Sequence, residues 1–306
     1  MAYKTTAVTM FFDLTQLKDR TEAVRPASFY MEHGKVTLSL PGPMVIFCDE
    51  STKPQIEAIR SAAVPDPALT VYVVKNITDY DFYKDNIDIV LENRRGLAHY
   101  VNSRNTASYC LLTVFKFHAL RMAQQLIQTP FYAWADFGGS HIMRNFHQSM
   151  TRILADPRPK ITLCYVHYRG TAELASMKDY FREGGPCGVV AGCFTVEAAY
   201  MNRFFNGTQA LFHEMLAQGV GHSEEGVLTY FYHRYPQLCT LYYGDYYSIG
   251  TNYHEPKEDY DAIRWFFIQK CLEKGRPDLA KEAGIALLPF VRPDQRTDLE
   301  LNVLRR

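Results

Sequence analysis

Short apolar runs alternate along the chain with longer segments in which apolar residues recur at helical spacing. Runs rich in β-branched and aromatic residues, bounded by acids, glycines or prolines, predict strands, and the longer periodic segments predict helices. The predicted strands are 6–12, 44–48, 70–74, 131–135, 161–166, 188–194 and 238–243. The predicted helices are 110–128, 196–218 and 225–235, followed by a helical hairpin at 259–274 and 277–286.

This alternation predicts an α/β protein with a mostly parallel sheet flanked by helices on both faces. We expect residues 1–256 to form this domain and residues 257–306 to form a C-terminal helical extension. The apolar side of the hairpin around Trp265 is expected to pack on the first domain, with a dimer contact or a lipid-linked acceptor as alternatives. The polar stretch 292–306 is expected to be loosely ordered.

The segment 131–141 joins the fourth predicted strand to one carboxylate, two glycines and a histidine. In open α/β sheets, ligands bind at the carboxyl ends of the strands, and Asp136 directly follows such an end. We therefore expect Asp136 to hold a divalent metal on a nucleotide diphosphate. Asp13 and Asp49 follow two other strands, although aspartate at these positions is equally typical of turns and helix caps.

Three further groups are candidates for binding a phosphorylated sugar. Lys116, on the helix before Asp136, either faces a phosphate or belongs to a solvated helix face. Arg94, Arg95 and Arg104 lie in a polar segment, where they either clamp phosphates or are surface charge. Gly192 either admits a sugar ring close to the backbone or allows tight packing.

Two adjacent carboxylates, Glu224 and Glu225, open a predicted helix after Ser223, a typical N-cap residue. Acids suit the first turn of a helix, which explains one of them, and the other is a candidate general base or ligand for sugar hydroxyls. His254 lies in a late aromatic loop and is a candidate metal ligand, because imidazole binds ions such as Mn²⁺ beside carboxylates.

Charge and cysteine usage narrow the class of protein. The 306 residues carry 33 basic and 33 acidic side chains, so there is no electrostatic case for nucleic acid as a partner. Seven cysteines without a C-x-x-C pair indicate reduced, buried thiols. The sequence shows no secretory signal and no apolar run long enough for a transmembrane helix, so we expect a cytoplasmic protein. An oligomer is compatible with this composition.

Several motifs in the same order resemble the HtrL/YibB-type proteins, which are glycosyltransferase-like. The resemblance covers roughly residues 6–255. It rests on Val8-Thr-Met-Phe-Phe-Asp13, Pro43-Met-Val-Ile-Phe-Cys-Asp49, Trp134-Ala-Asp136-Phe-Gly138 and His222-Ser-Glu-Glu225-Gly.

The resemblance implies the glycosyltransferase A fold, a Rossmann-like nucleotide-sugar domain that commonly holds Mn²⁺ or Mg²⁺ with an Asp-x-Asp motif. Here Trp134 stands where the first aspartate would be, so only Asp136 carries over as a metal ligand, with His254 completing the site. By the same resemblance, Phe12 and Asp13 line the nucleotide pocket. Asp49, Arg104, Lys116, Trp134 and Gly192 are expected to bind the nucleotide sugar as well.

The expected reaction is metal-assisted transfer of a sugar from a nucleotide-diphosphate donor, expected to be a UDP-sugar, to a hydroxyl of a glycan or glycoconjugate. A metal neutralises the charge that develops on the diphosphate leaving group, and a base deprotonates the acceptor if the configuration inverts. We favour inversion, with Glu225 or Glu224 as the base. If configuration is retained, these acids bind sugar hydroxyls instead.

Two alternatives belong to other functional classes. The triplet Asp136-Phe-Gly138 also occurs as the metal-binding triplet of protein kinases, and Val73-Val-Lys75 resembles the segment that carries their ATP-binding lysine. However, no glycine-rich loop precedes Lys75 and no His-Arg-Asp loop precedes Asp136. We therefore treat the triplet as coincidental. A non-catalytic nucleotide- or sugar-binding protein on the same fold is the second alternative, and the missing first aspartate is its main support.

Overall fold

The computed structural model describes residues 3–95, 105–182 and 188–305, and a seven-stranded sheet forms its centre. The strands lie in the order β3-β2-β1-β4-β6-β5-β7. They are β1 (Thr5–Phe11), β2 (Met44–Cys48), β3 (Thr70–Val74), β4 (Phe131–Ala135), β5 (Ile161–Tyr165), β6 (Val189–Glu197) and β7 (Cys239–Tyr243).

Among the described strands, β6 is the one that runs antiparallel to its neighbours. It pairs antiparallel with β4 and with β5, whereas β1 pairs parallel with β2 and β4, and β5 pairs parallel with β7. The start of β6 therefore lies beside the end of β4, with Cys193 opposite Ala135. The backbone N–H of Asp136 donates to the Gly192 carbonyl at 3.1 Å, which brings the two predicted site positions together.

Helices cover both faces of the sheet. Those before β6 are α1 (Ala27–Leu38), α2 (Lys53–Ala63), α3 (Asp81–Arg94), α4 (Ala107–Leu126), α5 (Phe146–Ala155) and α6 (Met177–Arg182). Those after β6 are α7 (Met201–Ala217), α8 (Glu224–Arg234), α9 (Tyr260–Ala262), α10 (Gln269–Glu273), α11 (Pro277–Leu287) and α12 (Pro293–Leu299). The predicted α/β class with a mostly parallel, helix-flanked sheet is confirmed.

Alternation along the strands divides the apolar residues between two cores, one on each face of the sheet. Val8 and Met10 of β1 point into the larger core, which includes buried residues of α4, α7 and α8. Ala7 and Phe11 point to the opposite face and pack with residues of α1 and α5. The site described below lies where α4 and α8, from the first layer, meet the carboxyl end of β4.

The C-terminal helices pack on the β5–β7 edge, as expected for the hairpin. A π-helical segment, Ile263–Ile268, links α9 to α10, and its Phe267 ring lies 5.2 Å from the Tyr165 ring and 4.6 Å from the Tyr243 ring. The adjacent Trp265 ring remains largely exposed. The division at residue 256 stays a prediction, although Phe267 belongs to the same core as the sheet.

The expectation that residues 292–306 are loosely ordered is wrong for the described residues to 305. Helix α12 is followed by a π-helical turn, Glu300–Leu304, in which Val303 is buried. The polar composition of this segment led to the wrong expectation, because a short helix needs only a few apolar contacts to pack. Leu299 and Val303 make these contacts with α11.

The structure also bears on two expectations from composition, the state of the cysteines and the presence of membrane-spanning helices. The described cysteines are unpaired thiols, and five of those six are buried; Cys187 lies outside the described residues. Within the described ranges, no helix has both the length and the apolar character needed to cross a membrane.

Candidate active site

A cavity of about 440 Å³ opens at the carboxyl ends of β1 and β4. Its size is within the usual range for small-molecule sites. It brings together eight of the eleven residues predicted from sequence. These are Phe12, Asp13, Lys116, Trp134, Asp136, Gly192, Glu224 and Glu225.

Asp136 occupies the first position after β4 and is held on several sides. Its Oδ1 accepts a 2.6 Å hydrogen bond from Trp134 Nε1 and a 3.3 Å bond from Lys116 Nζ. The Thr37 hydroxyl of α1 donates to the backbone carbonyls of Asp136 and Phe137, which fixes the turn that follows. Among the described residues, no hydrogen bond reaches Oδ2, and 39% of the Asp136 side chain is exposed, so this oxygen faces the cavity.

Lys116 projects from α4 into the junction of β4, β6 and α8, and its side chain is only 2% exposed. Besides Asp136 Oδ1, its Nζ donates to Glu224 Oε1 at 2.6 Å and to the Ala191 carbonyl at 3.2 Å. The ammonium also lies 5.1 Å from the centre of the Trp134 ring. An ammonium has three N–H groups, and these three acceptors use all of them.

The two adjacent glutamates at the start of α8 point to different partners. Glu224 is the first residue of the helix and turns inward to Lys116. Glu225 Oε2 accepts a 2.8 Å hydrogen bond from the Tyr246 hydroxyl, and Oε1 accepts a 3.4 Å bond from the Ala191 N–H. One acid therefore neutralises the lysine, and the other remains at the cavity wall.

Burial and neighbouring charges shift the pKa values of Glu225, Lys116 and Asp136. Burial and the neighbouring Glu224 carboxylate raise the pKa of Glu225 from 4.5 to about 7. Burial lowers the pKa of Lys116, but Asp136 and Glu224 more than offset this and keep it charged, above its usual value. Burial, together with the Glu224 carboxylate, raises the pKa of Asp136 above its usual value, although Lys116 and the Trp134 N–H offset part of this rise.

The donor set fits a divalent metal only when phosphate oxygens share it. Within residues 3–95, 105–182 and 188–305, no three His, Cys, Asp or Glu side chains are grouped to hold an ion. Asp136 Oδ2 is one open carboxylate oxygen. Mg²⁺-like ions are commonly held by one or two carboxylates together with waters and substrate phosphates, and this oxygen meets that requirement.

His254 does not join Asp136, so the predicted pairing of these two residues as metal ligands is wrong. Its Nε2 lies 2.7 Å from the Asp156 backbone carbonyl, at the end of α5, and His254 is not part of the cavity wall. Asp156 precedes β5, whereas Asp136 follows β4, and these two parallel-running strands place them at opposite edges of the sheet.

Asp49 also lies outside the cavity, which contradicts its predicted role in binding the nucleotide sugar. Its oxygens accept hydrogen bonds from the Asp13 N–H, the Ser51 hydroxyl and the Thr52 N–H. Burial alone would raise its pKa, but these bonds lower it below the usual value. Asp49 is thus a turn residue that fixes the backbone of Asp13 after β1.

Asp13 lines the cavity, but its carboxylate is engaged locally. It caps the short helix Leu14–Gln16, with Oδ1 accepting from the N–H and the hydroxyl of Thr15. Arg104 lies outside the described residues. Arg94 is buried and donates to the Gly221 carbonyl, so it does not face a phosphate in this cavity.

The remaining predicted residues shape the wall. Phe12 is 3% exposed and packs edge-on against Tyr80 and Phe115. Trp134 is 1% exposed and positions Asp136 through its indole N–H, so it contributes no open ring face for stacking. A Cβ on Gly192 would lie 3.5 Å from Asp136 Oδ2, and glycine there keeps that oxygen accessible.

Sequence reasoning assigned no role to three residues that reach the cavity. Arg25 and Tyr246 come from loops with no periodic signal, and His141 was visible only as part of the segment after Asp136. The aromatic loop containing Tyr246 stood out by composition. We assigned a metal-binding role to His254 of this loop, whereas Tyr246 is the residue that donates a hydrogen bond to Glu225.

The sequence pattern of one protein family, HtrL_YibB, described as "Bacterial protein of unknown function", matches residues 3–253. No curated protein matches the chain.

Several solved structures are similar at low identity. The galactosyltransferase LgtC, in complex with donor and acceptor sugar analogues, is 8% identical, with 77% of this chain and 72% of that chain covered and a TM-score of 0.41. Core-mannan synthase A from Aspergillus fumigatus, in its Mn/GDP form, is 10% identical, with 78% and 73% covered and a TM-score of 0.45. Rv0371c from Mycobacterium tuberculosis H37Rv, in complex with manganese, is 11% identical, with 70% and 84% covered and a TM-score of 0.32. At such TM-scores these likenesses carry no functional argument.

Replacing Lys116 tests the buried ion cluster. We expect Lys116→Met to lower the free energy of unfolding by about 3–5 kcal/mol, because it leaves Glu224 buried without a counter-charge. Adding Glu224→Gln should recover part of the loss, and denaturant unfolding measures each variant.

Lys35→Met is the matched control, because Lys35 forms an exposed ion pair with Glu32 on α1. Solvent and salt screen such an exposed pair, so its loss should change stability little. Equal losses for Lys116→Met and Lys35→Met would contradict the role given to Lys116.

Proposed function

The chain belongs to the HtrL_YibB family, and we propose that it is a glycosyltransferase that uses a nucleotide-diphosphate sugar as donor. The donor is expected to be a UDP-sugar, and the acceptor a hydroxyl of a glycan or glycoconjugate. The observation that carries the proposal is one cavity with an open Asp136 oxygen and a Glu225 carboxyl with a pKa of about 7. Two carboxyl groups that line one cavity, one of them with a pKa raised toward neutral pH, are typical of acid–base chemistry.

Asp136 suits the diphosphate side of the donor. Its Oδ2 would hold Mn²⁺ or Mg²⁺ together with the phosphate oxygens, and a metal there neutralises negative charge on the leaving diphosphate. Trp134 and Lys116 hold Oδ1, so the carboxylate cannot rotate away from the cavity without losing both hydrogen bonds. Lys116 has no N–H left for a phosphate, because its three N–H groups bond to Asp136, Ala191 and Glu224. Its role is to hold the Asp136 carboxylate in place.

Glu225 suits the acceptor side. Its carboxylate would take the proton of the attacking hydroxyl while the acceptor oxygen bonds to the anomeric carbon. The bond between that carbon and the diphosphate oxygen breaks, and its electron pair leaves with the diphosphate. A base with a pKa near the working pH is effective in this role, which supports inversion of configuration.

Nucleotide binding tests the proposed class of function. We expect titration calorimetry with UDP, GDP, ADP, CDP and dTDP, each with Mn²⁺, to find one nucleotide that binds the protein, and the matching nucleotide sugar to be hydrolysed or transferred. Asp136→Asn should weaken metal-supported binding by about 10- to 100-fold, as loss of a charged contact does.

Asp81→Asn is the control for this series, because Asp81 is an exposed acid on α3 that lies outside the cavity. If no nucleoside diphosphate binds, the proposal is wrong. Binding without hydrolysis or transfer of any nucleotide sugar would favour the non-catalytic binding protein instead.

The pH dependence of turnover tests Glu225 as the base. Because a base must be ionised, kcat/KM for the acceptor should fall as the pH drops below about 7. Glu225→Gln should lower kcat by about 10²- to 10⁴-fold and abolish this dependence while nucleotide binding persists.

Tyr246→Phe sharpens this test. The Tyr246 hydroxyl lowers the pKa of Glu225 by donating to it, so its loss should move the fall in kcat/KM to higher pH. An acid limb that stays in place in Tyr246→Phe and persists in Glu225→Gln would exclude Glu225 as the titrating base.

A further inference from the structure

The charges around the cavity leave a diphosphate short of positive partners. Within the described chain, the lining includes four acids, namely Asp13, Asp136, Glu224 and Glu225, and two permanent cations. The first cation, Lys116, spends all three N–H groups on protein acceptors. The second cation, Arg25, is therefore the one lining side chain with positive charge and open donors among the described residues.

Arg25 lies in the loop before α1, and within the described residues its side chain makes one hydrogen bond, from Nη1 to His141 Nε2 at 3.0 Å. Its guanidinium also lies 4.5 Å from the centre of the Phe29 ring, in a cation–π contact. A guanidinium carries five N–H groups, so the remaining ones have no protein acceptor in the described part of the chain. The side chain is thus held in direction without being neutralised by a carboxylate.

His141 ties this arginine to the turn that follows Asp136. The His141 Nδ1 is hydrogen-bonded to the Gly138 carbonyl, which makes Nδ1 the protonated nitrogen and leaves Nε2 as the acceptor for Arg25. Burial lowers the pKa of His141, and the Arg25 guanidinium lowers it further, so the ring is neutral at pH 7. The same turn that presents Asp136 therefore also orients Arg25.

We infer that Arg25 binds the phosphates of the donor from the wall of this cavity, with His141 as its positioning residue. Guanidinium groups match phosphate oxygens in a bidentate geometry, which an ammonium cannot reproduce. This inference rests on the proposed function, since it assigns a second contact to the same nucleotide diphosphate. The Arg25 guanidinium would also supply the positive charge that Lys116 cannot offer to a phosphate.

The test compares Arg25→Gln with wild type for the nucleoside, its monophosphate and its diphosphate, using the base that binds best in the calorimetric series. We expect affinity for the diphosphate to fall by at least about tenfold and affinity for the nucleoside to stay unchanged. Arg25→Lys should recover only part of the affinity, because it keeps the charge and loses the fork. Arg20→Gln is the control, as Arg20 is an exposed arginine of the same segment outside the cavity.

A double-mutant cycle isolates the role of His141. If His141 acts through Arg25, His141→Phe should weaken diphosphate binding in the wild-type background and have no further effect in Arg25→Gln. Additive losses would overturn the positioning role. Melting temperatures equal to that of wild type would confirm that each variant is folded, and a destabilised Arg25→Gln would be replaced by Arg25→Lys for the comparison.

The outcomes separate the two proposals. If wild type binds a nucleoside diphosphate and Arg25→Gln and Arg25→Lys bind it equally well, the inference about Arg25 is wrong and the proposed function stands. If wild type binds no nucleoside diphosphate, the proposed function fails first and the role of Arg25 fails with it.

Discussion

A buried ammonium holds the candidate site together. Lys116 comes from α4, yet its acceptors belong to the end of β4, the start of β6 and the start of α8. Each of these elements would leave an unsatisfied charge or carbonyl without it, and such groups are costly when buried. The positions of Asp136 and Glu224 therefore depend on one side chain, and the cavity depends on those positions.

The same interaction divides three neighbouring carboxyl groups into different tasks. Glu224 is used to neutralise the lysine, and Asp136 shares one oxygen with it and keeps the other open. Glu225 has no cation of its own and holds its proton more tightly, with a pKa of about 7. The same electrostatic arrangement thus gives one cavity both a carboxylate with an open oxygen and a carboxyl group with a raised pKa.

Much of the fold follows from local pattern, since the second, third and fourth strands lie where the apolar runs predict them. Asp136 could be placed as well, because the carboxyl ends of parallel strands share an edge. His254 and Asp49 could not, because a residue type indicates chemistry but not the direction in which a loop carries it. The three acceptors around the Lys116 ammonium and the N–H groups that Arg25 keeps for a ligand depend on contacts between residues far apart in sequence. A local stretch of sequence does not contain this information.

We propose that a divalent metal binds the described cavity through Asp136 Oδ2 and needs phosphate oxygens to complete its site. Electron paramagnetic resonance of Mn²⁺, titrated with protein in the presence and absence of the nucleoside diphosphate that binds best, measures this directly. We expect weak Mn²⁺ binding to the protein alone, one tightly bound ion per chain with the nucleotide, and loss of that ion in Asp136→Asn. Tight binding of Mn²⁺ to the protein alone, or a nucleotide-dependent ion that survives in Asp136→Asn, would contradict it.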